Sequence, residues 1–350
     1  MRASASLETL RVHVLGAGII GLACAEELLR RGHDVVVHDP APGRGASYAA
    51  AGMLSPSAEV WHGEPEVLDL GLRSLALWPA YAARLGIALP RAGTLLVGLD
   101  HADRQEVARH AALLANLAQP VEELDPVGVA AREPAVSARV AGGAWLPGDA
   151  AVDPRSVLAA LRDRVPVVTG RPEGGAEATI LATGSRLPAP FSGLVRGVRG
   201  EILRARMTDP PRVVVRGWAR GVPVYVVPRT GGEVVVGATS EEHDAEPVVT
   251  LGGLHALLDA GRALVPGLDR AELLEATARD RPATPDHLPL VGPAGVDGVV
   301  LAAGHFRHGV LLAPLTARLV ADHLETGCVE PALDPRRFTH TPEPAGSRPC

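Results

Sequence analysis

A short segment near the N-terminus combines a glycine-rich turn with an apolar run before it and a helical pattern after it. The run Val12–Leu15 leads into the turn GAGIIG at residues 16–21, and apolar residues then recur at helical spacing up to Gly32. A second β-branched run, Val35–Val37, ends at Asp39. The pattern predicts a β-α-β unit over the first forty residues. This unit constrains the fold most, because parallel strands joined by a helix belong to a sheet that helices cover.

The spacing Gly-x-Gly-x-x-Gly is typical of a dinucleotide-binding turn. Gly16 makes the tight bend, Gly18 lets a pyrophosphate approach the backbone, and Gly21 lets the helix pack on the strand. Asp39 stands where an acidic side chain holds a ribose hydroxyl. NAD and FAD use the same turn, so the motif leaves the choice between them open. A glycine turn that serves packing alone is the alternative interpretation.

The composition favours a soluble globular protein with a small-molecule site. Of the 350 residues, 47% are hydrophobic and 21% are charged, and the net charge is -6. An acidic chain argues against nucleic acid or an anionic membrane as partner. No apolar run is long enough to span a bilayer and no secretory signal is visible, which predicts a cytoplasmic protein. A homo-oligomer is compatible with the composition.

Lysine is absent from the sequence, so all 34 basic residues are arginines. This excludes chemistry that needs a lysine amine, including a Schiff base with pyridoxal phosphate and the P-loop lysine. The three cysteines show no Cys-x-x-Cys spacing, and we predict no metal site.

The remaining pattern alternates between helix-strand units and a strand-rich part. Residues 197–238 resemble an antiparallel meander, and Val299–Ala303 is a buried strand before a final helix. We predict an α/β fold, α+β overall, in which a Rossmann-like domain is interleaved with a domain built on an antiparallel sheet. The predicted ranges are 1–60, 149–190 and 281–340 for the first domain, 61–148 and 191–280 for the second, and 341–350 for a disordered tail.

Four separated segments carry a resemblance to a known family. They are GASYAAAGMLSPSAE from Gly45, VYVVPRTGGEVVVGAT from Val224, RPATPDHLPLVGP from Arg281 and LAAGHFRHGVLLAP from Leu301. In this order, and together with the glycine turn, they resemble the glycine oxidase branch of the D-amino-acid oxidase family, whose members bind FAD. The resemblance extends from Arg11 to about Leu324.

The resemblance implies non-covalently bound FAD held by several parts of the chain. Its ADP half would contact the glycine turn and Asp39, its isoalloxazine would lie along residues 50–53, and the Gly304–Gly309 corner would form the other wall. The predicted cofactor-binding residues are Gly16, Gly18, Ile19, Ile20, Gly21, Asp39, Ala50, Ala51, Gly52, Met53, Gly184, Gly304, His305, Phe306, Arg307, His308, Gly309 and Val310.

The resemblance also implies where an amino-acid substrate would bind. Arg281 would hold the substrate carboxylate in two-point fashion, and Tyr225 would add a hydrogen bond. Arg307 would offer its backbone carbonyl to the substrate amine. The alternative for Arg281 is a surface salt bridge with Asp280 or Asp286, and the alternative for Tyr225 is a half-buried strand residue. His305 and His308 are expected to be structural rather than general bases.

The implied activity is the oxidative deamination of glycine, with sarcosine and small D-amino acids as other candidate substrates. Hydride transfer to flavin N5 would give an imine and then glyoxylate and ammonia, while dioxygen would give hydrogen peroxide. The product would serve the thiazole moiety of thiamine, with thiazole synthase as a candidate partner. The alternatives are a D-amino-acid oxidase or dehydrogenase of the same fold and a flavin-binding protein without turnover.

The sequence departs from the family pattern at several points. His308 replaces the usual Asn, Ala283 replaces Gly, and Arg279-Asp280 replace small or apolar residues before the predicted carboxylate anchor. The segment 165–178 is shorter than in the family, where it supplies a hairpin over the adenine. The shortening predicts that FAD is held less tightly.

Overall fold

The computed structural model describes residues 8–90, 92–338 and 348–349. It contains the predicted β-α-β unit at the N-terminus. Strands β1 (Arg11–Leu15) and β2 (Asp34–His38) pair in parallel and are joined by helix α1 (Ile19–Arg30).

Nine α-helices and eighteen strands are found in the described part of the chain. The helices are α1, α2 (Ala46–Ala49), α3 (Pro56–Glu59), α4 (Pro65–Leu85), α5 (His101–Asn116), α6 (Pro126–Arg132), α7 (Pro154–Arg162), α8 (Leu251–Leu264) and α9 (Gly309–Thr326). The strands after β2 are β3 (Met53–Leu54), β4 (Thr94–Gly98), β5 (Glu122–Leu124), β6 (Gly142–Leu146), β7 (Ala150–Ala151), β8 (Val167–Val168), β9 (Ala178–Leu181), β10 (Arg196–Arg206), β11 (Val214–Ala219), β12 (Val222–Pro228), β13 (Glu233–Gly237), β14 (Glu272–Ala283), β15 (Leu290–Pro293), β16 (Val299–Ala303), β17 (Cys328–Val329) and β18 (Arg348–Pro349).

A six-stranded sheet collects strands from both ends and from the middle of the chain, as predicted. Its order is β15-β16-β9-β1-β2-β8, and all neighbours are parallel except β15 and β16. Helices α1 and α9 pack on each other, and their apolar residues join those of the strands in one buried cluster. This is the Rossmann-like part of the predicted fold.

An eight-stranded mixed sheet forms the second layer, with the order β14-β10-β13-β12-β11-β4-β6-β5. The predicted meander is correct for β11, β12 and β13, which pair in sequence order. It is wrong for β10, which pairs with β13 and β14 instead of β11. The free edge of β11 is taken by β4 in a parallel pairing between residues far apart in the chain, which local periodicity does not reveal.

Helix α4 lies in the range 61–148, which was predicted to belong to the second domain. It packs on α9, which was predicted to belong to the first. Trp78 is fully buried, and its Nε1 donates to the carbonyl of Leu311 at 2.9 Å. The hydroxyl of Ser74 donates to the same carbonyl at 2.6 Å. The apolar face of α4 thus belongs to the core of the six-stranded sheet. The other domain boundaries stay a prediction.

The predicted disordered tail, 341–350, lies outside the described residues except for β18. That strand pairs in parallel with β17.

Candidate functional site

A cavity of about 1150 Å³ is lined by residues of both sheets. One end is formed by the turn after β1 and the carboxyl end of β2, and the other by β10, β12 and β14. Nucleotides in open α/β sheets bind outside the carboxyl ends of the strands. The volume exceeds the roughly 300–1,000 Å³ typical of small-ligand pockets, so it suits a dinucleotide together with a substrate.

Two glycines of the turn are required by close packing. Gly16 has φ +110°, and a Cβ there would lie 2.3 Å from the carbonyl oxygen of Ala182. A Cβ on Gly21 would lie 2.0 Å from the carbonyl oxygen of Gly16. Gly21 does not line the cavity. This close approach of α1 to the turn agrees with the packing role predicted for Gly21, and its contact with a cofactor stays a prediction.

Gly18 differs from the other two because the space beside it is open. A Cβ on Gly18 would meet only Ser47 Oγ, at 3.4 Å. Gly18 is also the N-cap of α1, whose first turn holds no acidic residue, and the N–H of Ile19 donates to Ser47 Oγ at 3.0 Å. The N–H groups of a first helical turn lack intrahelical acceptors and carry partial positive charge. This arrangement fits a pyrophosphate.

The carboxylate of Asp39 is fixed at the end of β2. Its oxygens accept from the backbone N–H groups of Ala17 at 2.7 Å and Ala41 at 2.8 Å. The loop Thr169–Pro172 lines the same cavity, and a contact of 3.3 Å between His38 Nδ1 and the Gly170 carbonyl joins it to β2. The shortened segment therefore still forms part of the wall at the ribose end.

Residues 50–53 all line the cavity, as predicted. Gly52 has φ +70°, and a Cβ there would lie 2.1 Å from the carbonyl oxygen of Val152. The buried guanidinium of Arg229 donates to the carbonyl of Ala51, and burial lowers the pKa of Arg229 to about 10. This loop is thus held from two sides, so its small residues can form a flat wall.

The corner between β16 and α9 contributes to the opposite wall. His305, Phe306, Arg307, Gly309 and Val310 line the cavity. Helix α9 begins at Gly309 with no acidic residue in its first turn, so the positively polarised N-terminal end of the helix lies at the wall.

Two residues predicted to contact the cofactor at this corner, Gly304 and His308, are not among those that line the cavity, and their contacts stay predictions. Gly304 has φ +73° and approaches Thr284, whose Cγ2 would lie 2.5 Å from an added Cβ. His308 is buried at the start of α9.

The two histidines of the corner are buried and uncharged. Burial lowers the pKa of His305 to about 3, and its Nε2 lies 2.9 Å from Thr316 Oγ1. The pKa of His308 is also lowered, mainly by burial and to a smaller extent by the positive charge of Arg307. Both are poor proton acceptors at neutral pH, which fits the structural role expected for them.

The side chain of Arg307 is only 9% exposed, and its positive charge is balanced by the carboxylate of Glu64. Its Nη2 donates to the carboxylate of Glu64 and to the carbonyl of Glu59, the latter at 3.1 Å. The guanidinium carbon lies 3.8 Å from the ring centroid of Trp61. Burial lowers the pKa of Arg307, while Glu59 and Glu64 raise it. The side chain therefore pairs with protein groups, and its charge is not free for a substrate carboxylate.

Arg281 lacks an acidic partner within 4.0 Å among the described residues. Asp280 pairs with Arg199 at 2.5 Å and Asp286 pairs with Arg337 at 2.8 Å, so neither forms the alternative surface salt bridge. Nη1 of Arg281 donates to the carbonyl of Thr239 at 3.2 Å. The guanidinium thus lines the cavity with its charge uncompensated by a nearby carboxylate.

The guanidinium of Arg281 lies against the backbone of β10 at Gly200, where the absence of a side chain leaves space for it. A Cβ on Gly200 would lie 2.4 Å from both terminal nitrogens of this guanidinium. A side chain at position 200 would displace it, so Gly200 determines where the cation lies.

Tyr225 lies beside this cation. Its hydroxyl would be 2.4 Å from a Cβ on Gly237, so the ring lies over the glycine backbone. Burial raises the pKa of the Tyr225 phenol, while Arg281 lowers it. The phenol therefore stays protonated at neutral pH and can donate to an anion. Guanidinium and phenol together form a site for a carboxylate.

The structure brings together most residues that the sequence singled out. Arg281, Tyr225 and Arg307 line the cavity, and so do Gly184 and the other predicted cofactor contacts apart from Gly21, Gly304 and His308. The contacts of these residues with a cofactor or substrate stay predictions.

The sequence did not single out several other lining residues, of which Glu59, Trp61 and Arg216 carry charge or an aromatic ring. Glu59 ends a segment that was quoted for its small residues. Arg216 lies on β11, where nothing in the local pattern separates it from an exposed strand arginine.

The fold and the cavity are those of an enzyme that uses a dinucleotide and binds an anionic substrate. Comparisons with known proteins identify the family. The model of the DAO family, described as FAD dependent oxidoreductase, matches residues 11–323. The chain belongs to this family, and FAD is its cofactor. The open space at Gly18 and the flat wall at residues 50–53 fit that group.

Several relatives cover nearly all of the chain. A glycine oxidase of Geobacillus kaustophilus is 32% identical, with 94% of this chain and 96% of the relative covered. A putative thiamine biosynthesis oxidoreductase, ThiO, of Rhizobium etli is 36% identical over 91% of this chain and 97% of the relative. A bifunctional ThiO/ThiG protein of Trichormus variabilis is 30% identical over 96% of this chain and 56% of its own length.

A solved structure confirms the fold. The crystal structure of the Geobacillus kaustophilus glycine oxidase has a TM-score of 0.83 and 32% sequence identity, and it covers 96% of this chain and 100% of that one. The predicted α/β architecture is therefore confirmed.

None of the helices in the described ranges is long and apolar enough to cross a membrane. Within the same ranges, no group of three or more His, Cys, Asp or Glu side chains is placed to hold a metal ion.

Proposed function

We propose that this enzyme oxidises glycine, with FAD as electron acceptor, to an imine that hydrolyses to glyoxylate and ammonia. Dioxygen is reduced to hydrogen peroxide. Glycine oxidases and ThiO proteins similar over nearly the whole chain support this substrate class. The observation that carries the proposal is the guanidinium of Arg281, which has no carboxylate partner among the described residues and lines the same cavity as Tyr225.

Binding energy in this site is directed at the substrate carboxylate. The planar guanidinium of Arg281 offers two parallel N–H donors, and the Tyr225 phenol offers a third. Three donors to one carboxylate fix its position and orientation. The carbonyl of Arg307 would accept from the amine. The Arg307 side chain does not compete for the carboxylate, since it contacts Glu64 and the ring of Trp61.

The chemistry requires a neutral amine whose α-hydrogen leaves with its electron pair. When bound, FAD supplies the acceptor at its N5 for that hydride and passes the electrons to dioxygen. The protein's contribution is orientation rather than proton abstraction from carbon. This agrees with the buried, uncharged state of His305, whose pKa of about 3 makes it a poor base.

The start of α9 supports the cofactor electrostatically. Its first residues, Gly309 and Val310, lie on the cavity wall. N–H groups of this first turn that lack intrahelical acceptors face a bound flavin in this proposal. They would stabilise negative charge on the pyrimidine part of a bound flavin.

The biological role belongs to the same proposal. In the bifunctional ThiO/ThiG protein of Trichormus variabilis, the part similar to this chain makes up 56% of the length and is joined to a further part in the same chain. This supports a function in making the thiazole moiety of thiamine, with thiazole synthase as the partner that receives the imine. The cytoplasmic location and homo-oligomeric assembly stay predictions from the sequence.

Two alternatives receive less support. A D-amino-acid oxidase or dehydrogenase of the same fold would use the same carboxylate site. A flavin-binding protein without turnover would have no use for an unpaired arginine beside the cofactor, since burying an uncompensated charge is unfavourable.

Steady-state oxygen consumption tests the proposed substrate. We expect glycine to give glyoxylate, ammonia and hydrogen peroxide in equal amounts per dioxygen consumed. We expect sarcosine and D-alanine to be slower and the L-enantiomer of alanine to be inert. Higher kcat/KM for a larger D-amino acid than for glycine would reject the glycine assignment in favour of the D-amino-acid oxidase alternative.

A further inference from the structure

An ion pair lines the cavity that the sequence did not reveal. Arg216 Nη1, on β11, donates to Glu59 Oε1, at the end of α3, at 2.9 Å. The side chain of Glu59 is only 8% exposed and that of Arg216 is 21% exposed. Both residues line the same cavity as Arg281. A charged pair inside a ligand cavity is costly to bury, so its function requires an explanation.

The sheet register places this pair next to the carboxylate site. Arg216 and Tyr225 are directly opposite on β11 and β12, so their side chains share one face of the sheet. Tyr225 in turn is opposite Gly237 on β13. Arg281 donates to the Thr239 carbonyl, two residues beyond this glycine. The phenol of Tyr225 therefore lies between two guanidinium groups.

The two guanidinium groups differ in their charge balance. Arg281 has no carboxylate within 4.0 Å among the described residues, so it can accept one anionic group. Arg216 already has a carboxylate partner in Glu59. Beyond Tyr225 the cavity therefore presents a compensated cation and a buried anion, and a second negative charge there would approach Glu59 without gaining a free cation.

We propose that the Glu59–Arg216 pair restricts this site to substrates with a single carboxylate, rejecting amino acids that carry a second acidic group. The inference rests on the proposed function only in taking Arg281 as the anchor of the first carboxylate. Like charges brought together in a site of low dielectric repel strongly, which gives specificity against such substrates. Neutralising Glu59 would free Arg216 to bind the second acid.

Binding of unreactive acids to the FAD-loaded enzyme tests the proposal without turnover. Propionate and malonate differ in that a methyl group of the first is a carboxylate in the second. Their dissociation constants are measured from the change in visible flavin absorption. In the unmodified enzyme we expect malonate to bind at least about tenfold more weakly than propionate. Equal binding, or no binding of either acid, would overturn the proposal.

Three variants then test the charges themselves. Glu59→Gln keeps the side-chain shape, and we expect it to raise the affinity for malonate relative to propionate by about tenfold. Arg216→Gln should give no such gain, and adding it to Glu59→Gln should abolish the gain. A gain that persists in the double variant, or no gain in Glu59→Gln, would contradict the proposal.

The measurement on the unmodified enzyme needs no variant to fold, so it decides the question by itself if a variant is unstable. The outcome is also separable from the proposed function. If glycine is not oxidised but propionate still binds in preference to malonate, the glycine assignment fails and the charge restriction stands.

Discussion

Replacing Arg281 by methionine is expected to lower kcat/KM for glycine by about 10²- to 10³-fold. The unmodified side chain lines the cavity without an acidic partner, and the substrate carboxylate would supply the missing charge. Truncating one member of a desolvated, hydrogen-bonded charge pair costs roughly 2–5 kcal/mol, and the expected loss, about 2.8–4.1 kcal/mol, lies within this interval. Because no carboxylate of the described residues pairs with Arg281, the loss should fall on substrate binding and leave the folded state intact.

Arg206→Met is the matched control for this prediction. Arg206 is at the end of β10 in the same sheet, but its side chain is 56% exposed and pairs with Glu272 at 3.2 Å. We expect it to change kcat/KM by less than a factor of about two, since exposed pairs contribute little. Both variants should bind FAD and melt near the temperature of the unmodified enzyme. Unchanged glycine kinetics in Arg281→Met would show that the carboxylate is anchored elsewhere.

Gly18→Val is expected to weaken FAD binding by about 100-fold or more while the protein still folds. Gly18 has φ -74° and ψ 176°, which any residue adopts. An added Cβ meets only Ser47 Oγ, at 3.4 Å, so the chain itself tolerates the side chain. The valine would occupy the space beside the first turn of α1, where a pyrophosphate must reach the backbone. Two powers of ten correspond to about 2.8 kcal/mol.

Titration of the apoprotein with FAD, followed by flavin fluorescence, measures this effect, and far-ultraviolet circular dichroism checks the fold. Gly252→Val on the exposed surface of α8 is the control, since an added Cβ there meets no atom within 4 Å. It should bind FAD like the unmodified chain. Normal affinity in Gly18→Val would mean that the dinucleotide does not approach this turn.

Local pattern predicted the parts of this fold that local interactions determine. The β-α-β unit followed from β-branched runs, helical spacing and the glycine turn, because these features act within a few residues. The pairing of β11 with β4 and the packing of α4 on α9 did not follow. Both join segments that are far apart in the chain, and periodicity carries no information about partners.

The candidate site shows the same limit. Arg281 and Tyr225 were identified through a family resemblance, and the structure places both on one cavity. The partner of Arg307 could not be identified from the sequence, because Glu64 lies 243 residues away in the chain. Glu59 and Arg216 were missed for the same reason. They are 157 residues apart in the chain, and only the fold brings them into contact.

The corner between β16 and α9 shows why adjacency in sequence is not contact. All residues from Gly304 to Val310 were predicted to touch the cofactor, and the structure places five of these seven on the cavity wall. A short 3-10 turn at Phe306–His308 lies between β16 and α9, and His308 is its buried residue.

The visible absorption spectrum of the FAD-loaded enzyme, recorded before and after anaerobic addition of glycine, tests the central claim most directly. We expect glycine to bleach the visible flavin absorption, and admission of dioxygen to restore it. The Arg281→Met variant should require far more glycine for the same bleaching. A flavin spectrum that glycine leaves unchanged at any concentration would contradict the assignment of this protein as a glycine oxidase.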